Sequence, residues 1–139
     1  MDPLNFLTKI DSQNYSDSRG ILDVIELSEK LNFEIKRIYF ISEVPVNSVR
    51  GAHAHKDLRQ IFFATAGSFI LSVTDGDRTD TVRISAHSGG YYLPSGYWRE
   101  LSEFEPNSVC LVLASEHFDE ADYIKEKSAY LEWRNQNES

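Results

Sequence analysis

The sequence predicts an all-β domain, a small barrel or sandwich with a short helical segment at its C-terminal end. Three observations predict it. Short segments rich in Val, Ile, Phe and Tyr recur along most of the chain, with turn residues between them. Two of these segments flank Asp75-Gly76-Asp77-Arg78, a hairpin signal. After Asp119 the pattern changes, and scattered apolar residues among charges read as helix. The chain has 139 residues, which argues for one domain over 1–139, large enough for a core and a cavity without disulfides.

Taken in order, Asp17-Ser18-Arg19-Gly20 is a turn leading into a strand over Ile21–Leu27. Residues 33–41 alternate, with Phe33, Ile35, Arg37, Tyr39 and Ile41 on one face of a strand and Glu34, Lys36, Ile38 and Phe40 on the other. Further strands are predicted over Ile61–Thr65, Ser68–Thr74 and Thr79–Ile84. Tyr91-Tyr92-Leu93 is a strand end stopped by Pro94. The last strong strand is Val109–Ala114, and it holds the only cysteine, Cys110. A lone cysteine in an apolar run reads as an inert core thiol, permits no internal disulfide, and fits a reducing compartment. From Asp119 to Asn135 a short helix or two is expected against the outside of the barrel, its charges forming a solvated face.

A net charge of −8 argues against non-specific binding to nucleic acid or anionic membrane. No apolar run approaches the length of a membrane span, and the N-terminus lacks a basic-then-apolar signal pattern, so a cytoplasmic location is expected.

The chemistry concentrates in Arg50-Gly51-Ala52-His53-Ala54-His55-Lys56. Histidines at i and i+2 on a strand share a face. Such a pair can hold a metal or move protons near neutral pH. From His53 the pattern runs on through Gln60 and Gly67, and then through Pro94, Gly96 and Arg99. This resembles the two signature motifs of the cupin superfamily, double-sheet jelly-roll barrels. Where metal-binding cupins place their third and fourth ligands, this chain has Gln60 and Arg99. Gln is a weak neutral ligand and Arg a permanent cation that cannot ligate, so no metal and no cofactor are expected. His87 reads as an exposed loop residue, and His117 as either a wall residue of the site or a turn residue.

A narrower resemblance covers residues 10–131. It rests on Asp17-Ser18-Arg19-Gly20, Ile35-Lys36-Arg37-Ile38-Tyr39, the Arg50–Lys56 stretch, Trp98-Arg99-Glu100 and residues 112–124. These stretches are similar to the dTDP-4-keto-6-deoxyglucose 3,4-ketoisomerases, the WxcM-like C-terminal family. Some of those relatives carry His where Arg99 stands. The resemblance implies metal-free transfer of a carbonyl from C4 to C3 of a dTDP-linked 4-keto-6-deoxyhexose through an enediol, on the way to deoxyamino sugars of surface glycans. It implies a homodimer with exchanged N-terminal strands.

Candidate roles follow from that chemistry. His53 is the leading base, and His55 a partner that shuttles or orients. Tyr39 is a candidate acid, and Arg50 a stabiliser of the enediolate oxygens. Arg37, Lys56 and Arg99 are candidates for the pyrophosphate. Gln60 is a candidate hydrogen-bond partner of the sugar, and Trp98 or Tyr97 a stacking partner of thymine. Arg19 is expected to reach the other subunit's site. Which of His53, His55 and Tyr39 is base or acid stays open, as does the configuration at C4 of the product. Two other readings compete: a sugar-nucleotide 3,5-epimerase on the same scaffold, and a non-catalytic sugar- or nucleotide-binding barrel.

Overall fold

Two five-stranded antiparallel sheets face each other in a computed structural model that describes residues 3–29, 31 and 33–137. The strands are β1 (Thr8–Ile10), β2 (Gln13–Asp17), β3 (Gly20–Val24), β4 (Arg37–Ser42), β5 (Arg50–His55), β6 (Gln60–Ala66), β7 (Ser68–Thr74), β8 (Thr79–Ser85), β9 (Gly90–Leu93), β10 (Trp98–Ser102), β11 (Val109–Ala114) and β12 (Tyr123–Ile124). A 3₁₀ turn at Glu120–Asp122 precedes β12, and helix α1 (Lys127–Asn137) follows it. The first sheet runs β1-β9-β6-β11-β4 and the second β12-β5-β10-β7-β8. Strands β2 and β3 form a separate hairpin.

Strand alternation builds the core. Phe62, Ala64, Cys110, Val112 and Leu93 point inward from the first sheet, and meet Phe69, Leu71, Val73, Ile84 and Leu101 from the second. Cys110 is fully buried, and burial pushes its thiol up to about 12, as expected of an inert core cysteine. The opposite face of the first sheet is also apolar. There Ile10, Ile61 and Phe63 pack with Tyr92, Leu111 and Leu113 under a cover of Ile25, Leu27 and Phe33. Behind the second sheet, Ala54, Trp98 and Ile124 pack against Tyr130 and Trp133 of α1.

The all-β expectation and the helix on the outside of the barrel are met. Two boundaries differ. The strand read over Ile21–Leu27 ends at Val24, because Ile25 and Leu27 leave the hairpin to cover the first sheet. The strand read over 33–41 begins at Arg37, because Phe33 turns to the same cover. Strands β1, β2 and β10 carry no alternating apolar pattern. Strand β1 has three residues and exists through its pairing with β9; β2 is mostly polar. In β10 the polarity is inverted, with Trp98 facing out under α1 and Arg99 facing in.

The N-terminal segment is fastened by Asp80, itself only 3% exposed. Its carboxylate accepts the backbone N–H groups of Asn5, Phe6 and Leu7 at 2.7, 2.7 and 2.8 Å. Burial alone would raise the Asp80 carboxyl, but these donors outweigh it and hold it below the usual range.

Candidate active site

The site lies where the first sheet ends in the edge strand β4 and faces β5 and β12 of the second. A cavity of about 230 Å³ opens there, lined by Arg37, Tyr39, Arg50, Gly51, His53, Arg99 and Tyr123, with Phe40 and Ile41 beside them. A larger concavity, about 450 Å³, lies on the apolar outer face of the first sheet and holds none of these groups.

A bulge in β5 assembles one wall. Arg99 pairs with His53 but Leu101 pairs with Arg50, so three residues of β5 span two of β10. The extra residue sits at Gly51, whose φ of +66° suits glycine. In an unbroken strand Arg50 and His53 would point to opposite faces. The bulge turns both toward the cavity. It also brings the Gly51 carbonyl within 3.1 Å of Arg99 Nη1, which donates to it. A Cβ on Gly51 would collide with that guanidinium.

The two histidines meet as their spacing predicts, with Nε2 atoms 3.0 Å apart. His55 Nδ1 lies 2.9 Å from Asp122 Oδ2. The Tyr123 ring packs on both imidazoles, its centroid 4.9 Å from that of His53 and 4.4 Å from that of His55. Burial first, then the charges of Arg99 and its neighbours, lowers His53 to about 2. Burial, then Arg99 and Arg37, lowers His55 to about 3. Both rings are therefore neutral at pH 7, and the contact of His55 with Asp122 is one of a neutral ring with a carboxylate.

Across the cavity the Tyr39 hydroxyl oxygen accepts two bonds, from Gln60 Nε2 at 2.7 Å and from Arg99 Nη2 at 3.2 Å. With its acceptor side occupied, the hydroxyl has its own proton left to offer. Burial raises Tyr39 above its ordinary value, with Arg99 and the Gln60 bond opposing. The Arg37 guanidinium lies over the rings of Tyr39 and Phe118, 5.6 and 5.8 Å from their centroids. The Nε atoms of Arg37 and Arg99 are buried without a partner among the described residues. Three guanidinium groups, those of Arg37, Arg50 and Arg99, thus line a site on an otherwise acidic protein.

The structure brings His53, His55, Tyr39, Arg50, Arg37 and Arg99 together, and corrects four other expectations, those for Gln60, Lys56, Trp98 and Tyr97. Gln60 is buried beneath Tyr39, so its amide supports the hydroxyl and does not line the cavity. Lys56 lies one residue past β5, exposed and outside the cavity lining. Trp98 cannot stack on a ligand in this cavity. It packs behind the sheet against Tyr130, and its indole N–H donates to Glu100. Tyr97 packs on Phe6 and under the Arg134 guanidinium, away from the cavity. Arg19 sits on the hairpin turn, paired with Asp17 and outside its own chain's cavity.

His87 is an exposed loop residue, as expected, and pairs with Asp23; His117, left open between wall and turn, is also exposed and outside the cavity lining. The groups that sequence reasoning missed are Asp122 and Tyr123. Both fall in the 112–124 stretch that carries the family resemblance, but spacing alone does not show that β12 pairs with β5. No group of three or more His, Cys, Asp or Glu side chains among the described residues is placed to hold a metal. No helix among them is long and apolar enough to cross a membrane.

Comparison with known proteins adds the following. The family model FdtA (WxcM-like, C-terminal) matches residues 6–135. A TDP-4-oxo-6-deoxy-α-D-glucose-3,4-oxoisomerase of Aneurinibacillus thermoaerophilus is 35% identical over 117 residues, 84% of each chain. The 3,4-ketoisomerase QdtA of Thermoanaerobacterium thermosaccharolyticum, solved as a His-to-Asn mutant with TDP-4-keto-6-deoxyglucose, superposes with a TM-score of 0.88 at 32% identity. That match covers 98% of this chain and 99% of the other. A 3,4-ketoisomerase from Helicobacter canadensis gives a TM-score of 0.85 at 32% identity, covering 93% and 97%.

Proposed function

The chain belongs to the FdtA (WxcM-like, C-terminal) family, and from that premise we propose that it is a metal-independent isomerase converting dTDP-4-keto-6-deoxyglucose to a 3-keto-6-deoxyhexose. The observation that carries this is the convergence of neutral His53, the oriented Tyr39 hydroxyl and three guanidinium groups on one cavity.

The C3 proton is acidified by the C4 ketone. His53 removes it, and the developing charge on O4 is met by the Tyr39 proton, with Arg99 behind it. The resulting enediol loses its O3 proton to Tyr39. His53, whose proton exchanges with solvent in the interval, returns a proton to C4, and O3 becomes the carbonyl oxygen. Substrate and product are isomers, and no electron carrier takes part. Arg37 lines the cavity as a fork for the pyrophosphate, and Arg50, in the same wall as His53, stabilises the enediolate oxygens. The 3-keto product is an acceptor for amination at C3, which fits a cytoplasmic step toward a deoxyamino sugar of a surface glycan.

A homodimer with exchanged N-terminal strands forms part of this proposal. Ile38 and Phe40 on the edge strand are 55% and 66% exposed, and the detached hairpin exposes Tyr15, Ile21 and Leu22. A two-stranded hairpin is marginal alone, so both surfaces call for a partner.

The test is proton NMR with dTDP-4-keto-6-deoxyglucose in D₂O containing EDTA. A 3-keto product with deuterium at C4 is expected, with no effect of chelator, and its coupling constants assign the C4 configuration. His53→Asn is expected to be about 10²–10⁴-fold slower. Exchange at C5 would convert the reading to an epimerase, and binding without exchange would convert it to a sensor.

A further inference from the structure

The geometry points to Asp122 as a positioning residue of this site: its carboxylate fixes which nitrogen of His55, and through His55 which nitrogen of His53, carries a proton. The side chains of His55 and Asp122 are only 5% and 9% exposed. Asp122 is held through both its side chain and its backbone. Oδ1 accepts the Asp57 N–H at 2.7 Å, and the Asp122 carbonyl accepts the Lys56 N–H at 3.0 Å. Strand β12, which starts at the next residue, pairs Tyr123 with His55.

A carboxylate only accepts, so the His55 proton lies on Nδ1. His55 Nε2 is then a lone pair facing His53 Nε2 at 3.0 Å. One of two facing ring nitrogens must carry the hydrogen between them, and this one is His53 Nε2. The lone pair of His53 is left on Nδ1, the ring nitrogen not engaged with His55. His53 lines the cavity, whereas His55 does not. Asp122 therefore selects Nδ1 of His53 as the basic atom without touching the cavity itself.

The consequence for catalysis rests on the isomerase reading above. When His53 Nδ1 takes a proton from carbon, the ring becomes an imidazolium. Its Nε2 proton can pass to His55 Nε2, which places the positive charge beside the Asp122 carboxylate. No group is gained or lost, and the reverse transfer restores the resting state as the carbon is reprotonated. An aspartate that only held the Asp57 turn would leave both tautomers to chance.

The test is long-range ¹H–¹⁵N NMR of the full chain labelled at histidine. There are four histidines, and His87→Asn and His117→Asn assign the two outside the site. Nδ1–H is expected at His55 and Nε2–H at His53. In Asp122→Asn, the amide oxygen remains on the Asp57 N–H and the NH₂ group faces His55 Nδ1. Both tautomers then invert, and kcat falls by about 10²-fold or more with KM within roughly two-fold. A wild-type His55 protonated at Nε2 overturns the proposal, and that spectrum needs no variant to fold. Unchanged tautomers in Asp122→Asn overturn it as well, and inverted tautomers with unchanged kcat overturn the catalytic part. A wild-type protein with the expected tautomers that leaves the sugar nucleotide unchanged rejects the isomerase reading and leaves the tautomer assignment standing.

Discussion

Burying two imidazoles as neutral rings links this site to stability. Both have folded values well below the ordinary 6.5, at about 2 and about 3. The unfolded chain therefore binds more protons than the folded one at every pH between those limits. Stability is full above about pH 6.5 and falls as the pH drops toward about 3. Calorimetry from pH 8 to pH 4 is expected to show a falling Tm, with a shallower slope in His53→Asn; equal slopes would place His53 outside this effect. At this scale the sequence was partly legible. The i, i+2 spacing put His53 and His55 on one face, and alternation put Arg37 with Tyr39. Lys56, Trp98 and Tyr97 were misjudged because they stand beside the motif in sequence but turn elsewhere in space. Alternation aims Trp98 at the helix for the same reason that it aims Arg99 at the cavity.

Element by element, the most consequential feature is the bulge in β5. It makes Arg50 and His53 neighbours in one wall and seats the Arg99 guanidinium against the Gly51 carbonyl. Gly51→Ala meets two obstacles, a left-handed backbone that costs roughly 1–2 kcal/mol for a side chain and a collision with Arg99. The variant is expected to lose about 2 kcal/mol or more of stability in urea unfolding, together with most of its turnover. An unchanged urea midpoint would show that the strand can be straightened without cost. Periodicity reached most strands between Gln60 and Ala114, where one face is consistently apolar. It missed the bulge, since a single glycine in a strand-like run gives no sign of its φ. It also missed β1, which depends on a partner far along the chain, and β10, whose inward face carries an arginine.

For the whole molecule, the exposed apolar face of the first sheet and the detached hairpin argue for association. Sedimentation at micromolar concentration is expected to give twice the chain mass, and Phe40→Glu is expected to shift it toward the monomer. A wild-type monomer would contradict the homodimer. If the hairpin reaches the neighbouring subunit, mixing Arg19→Ala with His53→Asn subunits restores activity that neither has alone, because one site of each mixed pair is complete. Composition and charge could not show this surface, because a strand buried on both faces reads the same whether a second subunit or its own chain covers it. The opposite side of the molecule has a property of another kind. The chain has two tryptophans, and both lie behind the second sheet, Trp98 one residue from Arg99 and Trp133 beside Tyr130 in the helix. Its tryptophan fluorescence therefore originates from a single district of the fold. An emission-monitored melt follows the wall that carries His53 and Arg99, while the hairpin and the first sheet can come apart in the dark.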